Sequence, residues 1–261
     1  MALSQTSDLQ GRCDLLRSLH RPGRPLLLPN AWDVATARAV VAAGFPVVAT
    51  TSGGVAATLG YEDHEGAPGD EMLAAAARIA RGVEVPVTID AEAGYGMEPS
   101  ELVAALQSAG AAGCNLEDTD HADESLRDPG RHAEWLRAVR EAASADGYPL
   151  VINARVDVFL GPFFDGAGPG TLAELVPEAL GRANAYLEAG ADCVYPIGLW
   201  ETDALRRFIS EVSGPVNVIR LPQTPSLAEL AALGVARLSW ATLLHRDAMA
   251  RFEDQLASLQ E

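Results

Sequence analysis

The sequence predicts an α/β protein built as one (β/α)8 TIM barrel, and three observations carry that prediction. The chain has 261 residues with 48% hydrophobic content. α/β barrels commonly stay undivided at this size, and the content is ample for a core. Eight short apolar runs alternate with helical stretches. Near-continuous apolar strands of this kind are buried on both faces and imply a parallel sheet. Four predicted helices end alike, at Ala43-Gly44, Ala109-Gly110, Ala189-Gly190 and Leu233-Gly234, each two or three residues before an apolar run. That is an internal βα repeat with a glycine C-cap. Eight such units close most naturally into a barrel. A doubly wound open sheet is the alternative, but no GxGxxG follows the first strand. The expected organisation is a single domain over 1–261, with a helix within 1–25 ahead of the barrel and a C-terminal helix in 243–261.

Taken in order, residues 8–23 read as a helix on Leu9, Cys13, Leu15, Leu16 and Leu19, closed by Arg21-Pro22-Gly23. A strand follows from Leu26 to Asp33, where Asp33 caps a helix over 34–43. The second strand, Pro46 to Ser52, runs into a loop bearing Gly53 and Gly54. Further helices near 70–82, 99–109, 131–145 and 172–189 precede strands at 86–91, 113–118, 150–157 and 192–198. Shorter units follow: a helix at 202–212, a strand at 216–219, a helix at 226–233 and a strand at 237–240, before the terminal helix from 243 to 259.

The charge balance is 19 basic against 36 acidic residues, a net −17. No basic patch suited to nucleic acid is visible. All 19 basic residues are arginine. Without a lysine amine, Schiff-base aldolases, pyridoxal-phosphate enzymes and Walker-type phosphate loops are excluded. Cys13, Cys114 and Cys193 lie far apart and form no CxxC pair; Cys114 and Cys193 fall in apolar segments and read as inert buried thiols. No signal segment and no run of about 18 apolar residues is present, so the expectation is a soluble, cytoplasmic protein that neither crosses nor binds a membrane.

The chemistry of a barrel sits where its strands end. Those ends carry Asn30 and Trp32, Thr51 to Gly53, Asp90 and Glu92, Glu117 and Asp118, Arg155 and Asp157, Tyr195, Asn217, then Ser239 and Trp240. Asp90 and Glu92 stand two apart, which on a strand points both to one face. Two carboxylates so placed repel unless a cation or a shared proton lies between them. A solvated strand end is the plain alternative. A second acidic pair at the equivalent place on the next strand, with an arginine on the fifth, favours a divalent cation and an anionic substrate bridging it to guanidinium.

These residues carry a resemblance. Asp90-Ala91-Glu92-Ala93-Gly94-Tyr95-Gly96 resembles the D-x-[DE]-x-G-[YF]-G signature of the isocitrate lyase/phosphoenolpyruvate mutase superfamily. Thr51-Ser52-Gly53 through Tyr61-Glu62-Asp63 is similar to its substrate loop, Asn115 to Asp118 to its fourth-strand motif, and Asn153 to Asp157 to its fifth. The match spans roughly residues 26–240 in order. The resemblance implies a barrel with Mg²⁺, or Mn²⁺ in its place. The metal would be bound directly at Asp90, with Asp63, Glu92 and Glu117 holding its water ligands. It implies Thr51, Ser52 and Gly53 around a substrate carboxylate, Arg155 on the substrate, and an enolate that metal and guanidinium neutralise. It also implies a homo-oligomer, dimer or tetramer, often with an exchanged C-terminal helix.

Two departures stand out. The family's C–C lyases carry a K-[KR]-C-G-H loop after the fourth strand, and its phosphonomutases use lysine and asparagine there. This chain reads Thr119-Asp120-His121-Ala122-Asp123-Glu124 instead. On the sixth strand, where relatives place histidine or glutamate, it has Ile197 after Tyr195-Pro196. His121 is the candidate replacement for the missing acid, against the reading of a solvated loop histidine. Arg127 is a candidate clamp for a second carboxylate, or an exposed partner of Asp123 or Asp128. The expected catalytic groups are therefore Arg155, Glu117 and His121, with Trp32, Thr51, Ser52, Gly53, Asp90, Tyr195 and Asn217 about the substrate. The leading expectation is a Mg²⁺-dependent lyase of a small 2-hydroxy or 2-oxo acid. P–C mutase chemistry and a non-catalytic oxo-acid-binding barrel are the alternatives.

Overall fold

The computed structural model describes residues 2–259. The first strand is split by Pro29, which has no N–H for the ladder, into Leu26–Leu28 and Asn30–Ala31; together they form β1. Then come β2 (Val48–Thr50), β3 (Val87–Asp90), β4 (Gly113–Leu116), β5 (Val151–Arg155), β6 (Cys193–Tyr195), β7 (Asn217–Ile219) and β8 (Arg237–Ser239). All neighbours pair in parallel in this order. A single bridge, Val194 to Val216, joins β6 to β7. β8 pairs with both β7 and β1, with Arg237 opposite Leu26 and Asn217, so the sheet closes on itself. The predicted barrel and its eight staves are present.

The local rules that forecast the elements hold at atomic level. Asp33 accepts the Thr36 N–H at 2.7 Å and caps the helix Val34–Ala42. Gly44, Gly110, Gly190 and Gly234 all take the left-handed backbone, with φ of 90°, 79°, 107° and 95°. That is why these turns end in glycine: a side chain there is strained. The outer helices pack on a core that includes Leu16, Ile89, Leu102, Leu136, Ile152 and Phe208. Cys13, Cys114 and Cys193 are buried free thiols, each pushed up to about 12 by burial. No described helix is long and apolar enough to cross a membrane.

Three local expectations are corrected. Gly53 and Gly54 do not sit in a loop but inside a helix, Ser52–Leu59; the small residues let it lie directly over the barrel mouth. β3 stops at Asp90, and Glu92 turns to a φ of 47°. Strand alternation therefore does not place Asp90 and Glu92 on one face. The loop after β4 folds into a small hairpin, Thr119–Asp120 against Ser125–Leu126, and a 3-10 turn with a short helix, Asp157–Phe159 and Leu160–Phe164, follows β5.

Candidate active site

A cavity of about 440 Å³ opens at the carboxyl ends of the strands. Among the predicted residues, Thr51, Ser52, Gly53, Asp63, Asp90, Arg155 and Tyr195 line it. The start of the Ser52–Leu59 helix faces Asp90: the Ser52 N–H donates to Asp90 Oδ2 at 3.3 Å, and the Asp90 N–H donates to Thr50 Oγ1 at 2.8 Å. Free N–H groups at a helix start favour anions. Gly53 permits a close approach here. A methyl group on it would meet Asp63 Oδ2 at 2.6 Å and Thr242 Oγ1 at 2.8 Å.

The acids divide into two sets. Asp90 Oδ1 and Asp63 Oδ1 are buried and have no hydrogen-bond partner. Glu92 and Glu117, by contrast, are held by protein groups and do not line the cavity. Glu92 Oε2 accepts the Glu65 N–H, and Glu65 in turn accepts the Tyr95 N–H. Glu117 is paired with Arg155 and with His121 Nε2. Burial pushes the Asp90 carboxyl up, with Arg155 pulling the other way. Burial likewise takes Glu92 up to about 8 and Glu117 to about 7 despite Arg155 and the His121 hydrogen bond. The His121 imidazole is raised chiefly by its hydrogen bond to Glu117.

Arg155, 8% exposed, is fixed from behind: Nε and Nη2 donate to the two oxygens of Asp157 at 3.0 and 2.8 Å. Asp157 also accepts the Thr119 hydroxyl at 2.6 Å, and its N–H donates to Asp118 Oδ1 at 2.9 Å. Asp118 points away from the mouth and is held by Tyr186 and Arg182 among the helices. Below Asp90 the barrel interior is polar, with Asn153 and Arg237 both donating to Asn115 Oδ1 at 2.9 and 3.0 Å.

Some candidates lie elsewhere. Trp32 is off the cavity wall; its ring stands edge-on to His245, centroids 5.0 Å apart, and His245 does line the cavity. Asn217 is fully buried beneath the cavity and donates to Ser239 Oγ at 3.2 Å. His121 sits beside the wall, 5.4 Å from the ring of His64, which reaches the cavity. Arg127 is no clamp: it donates to the Ala93 carbonyl at 3.3 Å and covers the Trp135 ring. Sequence reasoning passed over Asp157 as the holder of Arg155, and over the apolar wall from Leu160, Phe163, Ile219 and Leu221. The pair Phe163-Phe164 in a segment between elements was the available signal.

The residues fit a hard divalent cation. Two carboxylate oxygens with unmet bonding capacity face one cavity, and the donor set is all oxygen. Among the described residues no three His, Cys, Asp or Glu side chains gather closely enough to hold an ion between them. Glu92 and Glu117 could then act on it only through water.

Comparison with known proteins shows the family. The family model described as phosphoenolpyruvate phosphomutase matches residues 16–260. An uncharacterised Mycobacterium tuberculosis protein is 34% identical over 222 residues, 85% of this chain and 79% of its own. The 2-methylisocitrate lyase of Salmonella typhimurium is 29% identical over 229 residues, 80% of this chain and 74% of its own. Among solved structures, a Burkholderia cenocepacia J2315 protein provisionally titled a phosphonomutase superposes with a TM-score of 0.88 at 40% identity, over 94% of this chain and 99% of that one. A 2,3-dimethylmalate lyase superposes at 0.82 with 25% identity, over 96% and 85%. The chain therefore belongs to the phosphoenolpyruvate phosphomutase family, within the isocitrate lyase/PEP mutase superfamily of enzymes acting on small carboxylates.

Proposed function

We propose that this protein is a Mg²⁺-dependent carbon–carbon lyase of a small 2-hydroxy or 2-oxo acid. The observation that carries the reading is the pair of unmet carboxylate oxygens on Asp90 and Asp63 in the cavity that Arg155 lines. Asp90 and Asp63 would hold the cation, which when bound supplies a Lewis acid for the substrate's oxygens. The Gly53 N–H, free at the start of the Ser52–Leu59 helix, binds the substrate carboxylate. Arg155, immobilised by Asp157, faces the negative charge that grows as the C–C bond breaks, and needs no reorganisation to do so. Glu117 and His121 are hydrogen-bonded through Oε1 and Nε2 behind the cavity wall, and this pair would take the place of the absent loop cysteine by passing a proton to the cavity through water.

Incubation with a panel of 2-hydroxy and 2-oxo acids, followed by product analysis, tests the reading. Asp90→Ala is expected to lose turnover and Mg²⁺ binding together; full turnover in that variant would contradict the proposal. P–C chemistry is the second reading, favoured by the 40% identical Burkholderia cenocepacia protein provisionally described as a phosphonomutase and opposed by the absence of lysine. Conversion of phosphonopyruvate followed by ³¹P NMR separates the two.

The helix Leu243–Ser258 buries none of its side chains and leaves Met249, Phe252 and Leu256 exposed on one flank. We infer that a second copy of the chain covers it. A monomer in sedimentation at micromolar concentration would contradict that.

A further inference from the structure

One side of the cavity mouth is built by the chain that follows β8. The Trp240 N–H donates to Asn30 Oδ1 at 2.8 Å, and Ala241, with a φ of 48°, turns the chain back over the strand ends. The left-handed region is costly for alanine and persists where the surroundings impose it. The helix Leu243–Ser258 thereby begins against the first turn of the Ser52–Leu59 helix. The Thr51 and Thr242 hydroxyls are hydrogen-bonded at 2.9 Å. A methyl group on Gly53 would crowd Thr242 Oγ1, and one on Gly54 would stand 3.5 Å from His245 Cβ. Two glycines let the two helices come this close.

The charges on the lining decide what this junction attracts. The acids there are Glu62, Asp63 and Asp90, and the basic side chains are His64, Arg155, His245 and Arg246. Glu62 is exposed to water, while Asp63 and Asp90 carry the unmet oxygens assigned above to the cation. Arg155 is committed to Asp157 and Glu117, and His64 stands over His121. Arg246 pairs with no carboxylate among the described residues. His245, beside it, is steadied by the edge-on Trp32 ring. One guanidinium on the lining is therefore uncommitted, and it stands on the helix that abuts Gly53. Such a group offers a carboxylate several N–H donors together with a full charge. Arg246 is exposed in the single chain. The second copy inferred above to cover this helix would take water from it, which strengthens its pull on an anion.

We propose that the carboxylate next to the substrate's oxo or hydroxyl carbon is held from two sides, by the Gly53 N–H on one and by Arg246, with His245 beside it, on the other. This rests on the site read above as an oxo-acid site and names further binding residues in it. The part of the substrate that receives the electrons of the breaking bond stays with Arg155.

Calorimetry with pyruvate in saturating Mg²⁺ tests this on the full chain. Arg246→Met is expected to bind pyruvate about tenfold or more weakly, and Arg246→Lys to recover part of the loss. His245→Asn is expected to lose less, about threefold. Raising NaCl from about 0.05 to about 0.5 M should weaken pyruvate binding to the unaltered protein more steeply than to Arg246→Met. Mg²⁺ affinity measured without pyruvate should be the same in the unaltered protein and all three variants, which a general disturbance of the mouth would not leave intact. Pyruvate binding to Arg246→Met as tight as to the unaltered protein overturns the inference and leaves the oxo-acid site standing. A parallel loss of Mg²⁺ affinity in Arg246→Met overturns it as well. Absence of pyruvate binding to the unaltered protein overturns the underlying reading and this one with it.

Discussion

Carboxylates stand at both ends of the barrel, and the two ends treat them differently. At the amino end Asp192 is gripped by Arg17 Nε at 2.8 Å, Arg140 Nη2 at 2.6 Å and the Ile152 N–H at 2.8 Å. Every demand of that charge is met within the chain, and it ties the N-terminal helix and Pro129–Ala145 to β5. At the carboxyl end Asp90 and Asp63 keep unmet oxygens, Glu92 and Glu117 titrate near neutrality, and Glu92 and Tyr95 carry positive φ. Unsatisfied buried charge and backbone strain cost stability and persist where something else uses them. The foot is built for folding and the rim for a ligand.

The largest expected break of that contrast is Arg155→Met. It strands the buried carboxylates of Glu117 and Asp157, and losing one partner of such a pair costs about 3–5 kcal/mol. Turnover should fall by about two to three orders of magnitude, since the group proposed to face the developing charge is gone. Urea unfolding and steady-state kinetics check the two halves; intact stability with lost turnover would show that the arginine is no part of the framework.

Acid separates the ends in a second way. His20, at the foot, is lowered to about 4 by burial and by Arg237, and His132, among the helices, to about 3 by burial and then Arg127 and Arg182. Both stay neutral in the folded protein while the unfolded chain takes up protons below its ordinary value near 6.5. The histidines' contribution to stability should thus be level above about pH 6.5 and fall toward pH 4, by up to about 2 kcal/mol per histidine near pH 5. The raised Glu117 and Glu92 carboxyls work the other way and cost stability as pH rises toward 7 and 8. At the rim the sign reverses. Glu117 and Glu92 must lose protons held up to about 7 and 8, so the site should accept a cation better as pH rises through that range. His132→Gln should flatten part of the acid slope in denaturation curves taken across pH; an unchanged slope would remove that histidine from the explanation.

Much of this was legible in the chain. Periodicity and four glycine stops gave the staves, because at these four turns the chain leaves the helix for the next strand through a left-handed residue. Motif order gave Asp63, Asp90 and Arg155 at one mouth. What escaped was set by tertiary contact. Glu92 left the face of Asp90 because β3 ends at Asp90, two residues short of Glu92, so the alternation does not reach it. Trp32 found His245 from the terminal helix, 213 positions away by number, which no local pattern encodes. Phe163 and Leu221 meet only because the segments after β5 and β7 converge over the same opening.

The contrast between rim and foot is tested most directly by titrating Mg²⁺ calorimetrically, near pH 8, into the unaltered protein, Asp90→Asn and Asp192→Asn. The expected result is saturable binding in the first, loss of binding in Asp90→Asn without loss of metal-free stability, and retained binding in a less stable Asp192→Asn. Mg²⁺ binding to Asp90→Asn as tight as to the unaltered protein would contradict it.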